Sequence, residues 1–240
     1  MTETATNETS GEPPMGLAAR VMNVYLSPRA AYTAVAARPR VLGVLLLVIV
    51  IMAAAQFVFL STEAGRNATM DQQISAVRAF GVTVTDQMVQ QMQSRMAYAR
   101  YTSAISVAVI LPIFAAIMAG LVLMIFTAIM GGGATYKQVF AVVVHSQLIG
   151  VLQQFVTLPV AYLREEIVSP TRLAVFFPML SDKSFLYYLL SAIDLFYLWS
   201  VVNLAIGIAV LYKRRTGPVA GVLLGLYAVI AVIYAAWRAF

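Results

Sequence analysis

Two titratable side chains stand inside long apolar runs of this chain: Asp194 in the run Phe185 to Leu211, and His145 in the run Val139 to Leu163. A charged side chain at the centre of a bilayer costs about 2.5–3.5 kcal/mol even on insertion scales, so such residues call for an explanation. Gln147, Gln153 and Gln154 accompany His145, with Gln147, Gly150 and Gln154 on one helical stripe, and Asn203 follows Asp194. A polar seam of this kind supports two uses. A carboxylate and an imidazole that change charge during a cycle would carry protons or a solute. The same groups would otherwise hydrogen-bond between helices and pin their register, for about 1 kcal/mol per contact. With one acid, one His and no second intramembrane carboxylate, the structural use is preferred. At helical rise Gln153 falls about 21 Å from the inner face, His145 about 9 Å, and Asp194 about 13 Å from the outer face. Asp194 is therefore expected to meet Gln153 or Gln154 in preference to His145.

No other residues form a chemical site. HExxH, GxSxG and P-loop patterns are absent, and Gly131-Gly132-Gly133 lacks the spacing and the following Lys-Ser/Thr of a phosphate cradle. The chain has no Cys, which excludes disulfides and thiolate-held metals. We expect no catalytic residue, no cofactor, no metal and no enzyme. Met88, Met92 and Met96 recur at helical spacing and are read as packing before ligand binding. Asn67-Ala68-Thr69 fits a glycosylation sequon, a frequent accidental match.

The elements that would position the seam follow from hydropathy. Val41 to Leu60, Ala104 to Met130, Val139 to Leu163, Phe185 to Leu211 and Val219 to Trp237 each suffice for a hydrocarbon core of about 30 Å. Hydrophobic residues are 61% of the chain and charged ones 11%, a balance that only lipid can cover. A barrel would need short strands of alternating polarity, whereas these runs are continuous. The fold class is an all-α integral membrane protein with five transmembrane helices, N-terminal interfacial helices and a helical loop between spans one and two.

Residues 1–16 read as a disordered N-terminal tail, polar and rich in Thr, Glu and Pro. Residues 17–40 read as an interfacial amphipathic segment of two short helices. Leu17, Val21, Val24 and Tyr25 share one face, and Ser27-Pro28 restarts the chain as N-cap and first helical residue. Residues 41–240 form the five-span membrane domain. Between spans one and two, Thr85-Asp86 caps a helix that leads into the second span, and the three consecutive glycines make spans two and three a tight hairpin. Gly217, Gly221 and Gly225, and likewise Ala116 and Gly120, lie at spacing four, a pattern for close helix packing within this chain or with another.

A net charge of +6 does not point to nucleic acid, because the sixteen basic residues are spread through loops. Arg20, Arg29, Arg38, Arg40, Lys137 and Lys213-Arg214-Arg215 fall on one side in short loops. Eight others are diluted in longer loops beside acids. The positive-inside rule then puts the N-terminus in the cytoplasm and the C-terminus outside, with no cleaved signal peptide.

Three segments resemble the Yip family, named for Ypt-interacting proteins, in its divergent prokaryotic form. They are Tyr25-Leu26-Ser27-Pro28-Arg29-Ala30-Ala31-Tyr32 with Arg38-Pro39-Arg40, Ala134-Thr135-Tyr136-Lys137-Gln138-Val139-Phe140-Ala141-Val142, and Asp194-Leu195-Phe196-Tyr197-Leu198-Trp199. The resemblance implies five spans with a cytoplasmic N-terminus. Eukaryotic members are associated with Rab-type GTPases through a long N-terminal segment, and the 40 residues here do not support GTPase binding. The expected partners are membrane lipids and a second copy or another membrane protein. The expected role is non-enzymatic organisation of lipid or partners, with a small transporter, channel or lipid-translocating protein built on the seam as the alternative.

Overall fold

The computed structural model describes residues 15–239, so the expected tail lies outside it up to residue 14. The described chain is helical: α1 (Leu17–Leu26), α2 (Pro28–Ala37), α3 (Leu42–Ser61), α4 (Glu63–Ala79), α5 (Asp86–Met96), α6 (Ala99–Met130), α7 (Tyr136–Ser146), α8 (Leu148–Arg164), α9 (Phe185–Ala192), α10 (Leu195–Leu211) and α11 (Thr216–Ala239). This is an all-helical integral membrane protein. Among the described residues, four helical stretches are long and apolar enough to cross a bilayer: Leu42–Ser61, Ala99–Ile129, Tyr136–Arg164 and Thr216–Ala239.

The run Phe185 to Leu211 is not one continuous helix. Ile193 and Asp194 are extended and separate α9 from α10. The cause is local. Asp194 takes the N-cap of α10, its carboxylate accepting from Phe196 N at 2.8 Å, and a cap residue has non-helical backbone. The backbone groups freed by the break are taken up by the preceding loop: Leu173 N donates to Ile193 O at 2.9 Å and Leu195 N to Thr171 O at 3.2 Å. Arg172 and Asp194 thus form one isolated antiparallel bridge, which leaves the break with hydrogen-bond partners as an apolar solvent requires. The 17 residues of α10 give about 26 Å of helix, slightly less than a hydrocarbon core. Both α9 and α10 pack along α11.

The entry segment also departs from expectation. Its helices do not lie flat against the end of the bundle: α1 packs on α7, α8 and α3, and α2 packs on α10 and α7. Val24, Ala31, Tyr32 and Val35 are fully buried members of the main core. Gln138 Nε2, at the start of α7, donates to Ala36 O at 3.0 Å, while Tyr25 Oη donates to Leu148 O at 2.6 Å, about 15 Å of helix further on. Together α1 and α2 form a hairpin that enters the bundle from one end and turns at Ser27-Pro28. Proline stands at the first turn of α2 as expected, but Ser27 makes no side-chain cap hydrogen bond. On the apolar face of α1, Val24 is buried and Val21 and Tyr25 are half-buried against the core, while Leu17 stays exposed.

The end from which this hairpin enters collects the basic loops. Gln138 ties α2 to α7, Thr127 Oγ1 and Tyr212 Oη are 2.9 Å apart between α6 and the loop after α10, and Arg20 Nη1 donates to Arg40 O at 3.0 Å. Gly131 (φ 63°) ends α6, and Thr135 with Gln138 makes a reciprocal capping box that starts α7. At the far end, α4 and α5 are capped by Thr62 and Thr85. Met88, Met92 and Met96 are half-buried there.

Candidate functional site

Asp194 is 1% exposed and accepts four hydrogen bonds. Oδ1 receives Phe196 N at 2.8 Å and Gln153 Nε2 at 3.4 Å; Oδ2 receives Thr171 Oγ1 at 3.0 Å and a short bond from Ser169 Oγ. A carboxylate offers about four acceptor sites, and four donors of this chain are directed at this one. Tyr227 Oη closes the knot from α11 by donating to Ala192 O at 2.5 Å. The knot joins α8, the loop before α9, α10 and α11. Its chemistry is that of a cap and crossing point: with four donors directed at it, the carboxylate holds the helix break closed.

The other seam residues are dispersed. Asn203 is buried, but it serves the entry hairpin: its Nδ2 donates to Val24 O at 2.9 Å, and its Oδ1 accepts a short bond from Tyr32 Oη. The reason lies in the sequence. A carbonyl at position 24 would receive the N–H of residue 28 in a continuing helix, and Pro28 has none, so the Asn203 amide supplies the missing donor. His145 is fully buried on α7, with Nδ1 2.7 Å from Ala141 O. Since a carbonyl only accepts, Nδ1 carries a proton, and Nε2 is left without a partner among the described residues. Gln147 is half-buried at the α7–α8 junction. Gln154 is a polar group in an apolar groove of about 550 Å³ between α3 and α8, lined among others by Val50, Ala54, Val58, Phe155 and Leu158. Of the candidates, Asp194 and Gln153 are brought together; His145, Asn203, Gln147 and Gln154 stand elsewhere. No cluster of three or more His, Asp or Glu is placed to hold a metal among the described residues.

The glycine stripe is equally instructive. A Cβ built at Gly217, Gly221, Gly225 or Gly120 meets nothing within 4 Å, and the three glycines of α11 are exposed, so within this chain they admit no close neighbour. Ala116 is half-buried on α6, and its carbonyl accepts from Tyr136 Oη at 2.9 Å. Close approach is permitted instead by Gly65 in α4, where a Cβ would collide with the Phe59 carbonyl, and, between helices distant in sequence, by Gly207 in α10, where a Cβ would collide with Val142 Cγ1 and stand 3.0 Å from Tyr32 Cδ1.

Arg20 is the residue that spacing did not single out. It is 7% exposed, with Nη1 on the Arg40 carbonyl and Nε unpartnered among the described residues. Burial first, and then the like charge of Arg40, press its guanidinium below its usual range. With Arg38, Arg40, Lys137, Lys213, Arg214 and Arg215 it belongs to an end of the bundle that carries no Asp or Glu among the described residues; Arg29, expected there, is instead at the hairpin turn. The described acids, Glu63, Asp71, Asp86, Glu165, Glu166, Asp182 and Asp194, all lie toward the far end.

A family model described as the Yip1 domain matches residues 22–238. No curated protein and no solved structure matches the chain. The matched span includes the hairpin turn, the capping box and the Asp194 knot, and begins two residues after Arg20.

Proposed function

The chain belongs to the Yip1 domain family, and from that premise we propose that it is a non-enzymatic membrane protein that organises lipid at its basic end. The proposed setting is a prokaryotic cell membrane with that end and the N-terminus cytoplasmic and the C-terminus outside. The observation that carries the reading is the separation of charge: seven basic side chains without an acid at one end, and all seven described acids toward the other. Basic residues near an anionic leaflet contribute about 1 kcal/mol each through attraction to lipid phosphates. A rigid frame is needed to keep such a collar in register, and the docked hairpin and the Asp194 knot supply it.

The transport reading has less support. A proton carrier needs a carboxylate or imidazole free to change partners, whereas Asp194 has four donors directed at it by groups fixed on α8, α10 and the intervening loop. The decisive experiment is reconstitution into vesicles with an entrapped pH dye and a labelled lipid in the inner leaflet. Proton flux and lipid flipping at the rate of empty vesicles are expected. Either process accelerated by wild type and abolished in a folded Asp194→Asn variant would replace this reading with transport through the knot.

A further inference from the structure

A buried arginine normally has an acid partner, because an unpaired charge removed from water is strongly unfavourable. Arg20 has none among the described residues; only the Arg40 carbonyl accepts from it. The bond to Arg40 occupies Nη1 and leaves Nε without a partner among the described residues; Nε is itself closed to solvent, so an anion reaches this edge of the guanidinium only by displacing the side chains that cover it. That edge presents two parallel N–H groups, the fork that carboxylates and phosphates accept side-on. Position identifies which anion is at hand. Leu17 of α1 lies against the first turn of α3, its Cδ1 3.4 Å from where a Gly43 Cβ would be, and Arg40 precedes α3 by two residues. Arg20 therefore lies where the apolar helix gives way to the basic loops, the level of lipid head groups.

We infer that Arg20, with Arg40 at its side, is the seat of an anionic phospholipid head group, whose phosphate takes the place of the missing acid. This deepens the lipid-organising reading and rests on it, since it names the lipid class and the residue that selects it. The exposed basic residues around the site gather anionic lipid by charge alone, whereas Arg20 holds one molecule through a fork.

The test is native mass spectrometry of the full chain from mixed micelles of phosphatidylglycerol and phosphatidylcholine in equal amounts. Wild type is expected to retain phosphatidylglycerol selectively, Arg20→Gln to lose about tenfold of that retention, and the exposed-site variant Arg215→Gln to lose little. Should Arg20→Gln fail to fold, Arg20→Lys keeps the charge without the fork and is expected to fall in between. Equal retention by wild type and a folded Arg20→Gln or Arg20→Lys protein overturns the inference. So does displacement of the lipid by millimolar inorganic phosphate, which would make the site one for free phosphate. Selectivity that appears only when Glu3, Glu8 and Glu12 are all changed to Gln would assign the seat to the N-terminal residues and overturn it too. Failure of the function reading is distinguishable: vesicles that pass protons with Arg20-dependent lipid retention intact would refute that reading and leave this site standing.

Discussion

Replacing Asn203 by Leu removes the lock that holds the entry hairpin in the bundle, and the size of the effect follows from the two bonds it makes. Its Nδ2 serves a Val24 carbonyl that proline leaves without a donor, and its Oδ1 accepts from the buried Tyr32 hydroxyl. Interhelical hydrogen bonds in membrane proteins average about 0.6 kcal/mol and reach about 1.7, so the pair is worth about 1–3 kcal/mol. At tenfold per 1.4 kcal/mol, transient opening of the hairpin should rise by about 5- to 150-fold. The absence of Cys from the chain makes a single introduced thiol a clean reporter. Ala31 is fully buried on α2, so Ala31→Cys is expected to react slowly with a small maleimide in the otherwise wild-type protein and faster by that factor with Asn203→Leu. Tyr32→Phe combined with Asn203→Leu should cost less than the two effects summed, because both act on one bond. Unchanged labelling and an unchanged melting temperature in Asn203→Leu would refute the lock.

Gly207→Ala should destabilise by about 1–3 kcal/mol, since its Cβ has no room beside Val142 and Tyr32, whereas Gly221→Leu should leave the melting temperature of the monomer in detergent unchanged. A denaturant titration that ranks the two in the opposite order contradicts the packing described. Asp194→Asn should keep the fold with a loss of about 1–2 kcal/mol, because an amide can still cap α10 and exchange bonds with rotatable hydroxyls; Asp194→Leu strands the Ser169, Thr171 and Phe196 donors and should cost about 3 kcal/mol or more. Thermal unfolding of both variants checks the difference. Reporter tags after Gly132 and after Arg215 should read as cytoplasmic, and tags at Ala76 and Thr171 as external; the reverse pattern would invert the orientation proposed.

Hydropathy made the membrane fold and most of its helices legible, because a continuous apolar run has few other solutions. It could not show the break at Asp194, since apolar residues continue on both sides of it. The only signal was the acid itself, an N-cap type in front of Leu195 to Leu211. Depth arithmetic did bring Asp194 to Gln153, yet Ser169 and Thr171 belong to a loop whose return into the knot depends on backbone pairing that spacing does not record. The entry hairpin was hidden for a different reason. The face formed by Leu17, Val21, Val24 and Tyr25 has the same pattern whether lipid or protein covers it, and Asn203 lies 171 residues from Tyr32. Small-residue spacing drew attention to the stripe in α11, while Gly207, which is under pressure, is a single residue whose role depends on a tyrosine in a distant helix.

The claim that the basic end organises anionic lipid is tested most directly by energy transfer from a donor dye on that end. Gly133 is exposed with open space around it, so Gly133→Cys accepts the dye without disturbing packing, and Ala76→Cys provides the same at the far end. In vesicles holding trace acceptor-labelled phosphatidylglycerol or phosphatidylcholine, transfer from the Gly133→Cys donor should be higher to phosphatidylglycerol than to phosphatidylcholine. The Ala76→Cys donor should show no such preference. Equal transfer to the two lipids from Gly133→Cys, or the same preference at both ends, would contradict lipid organisation by the basic end.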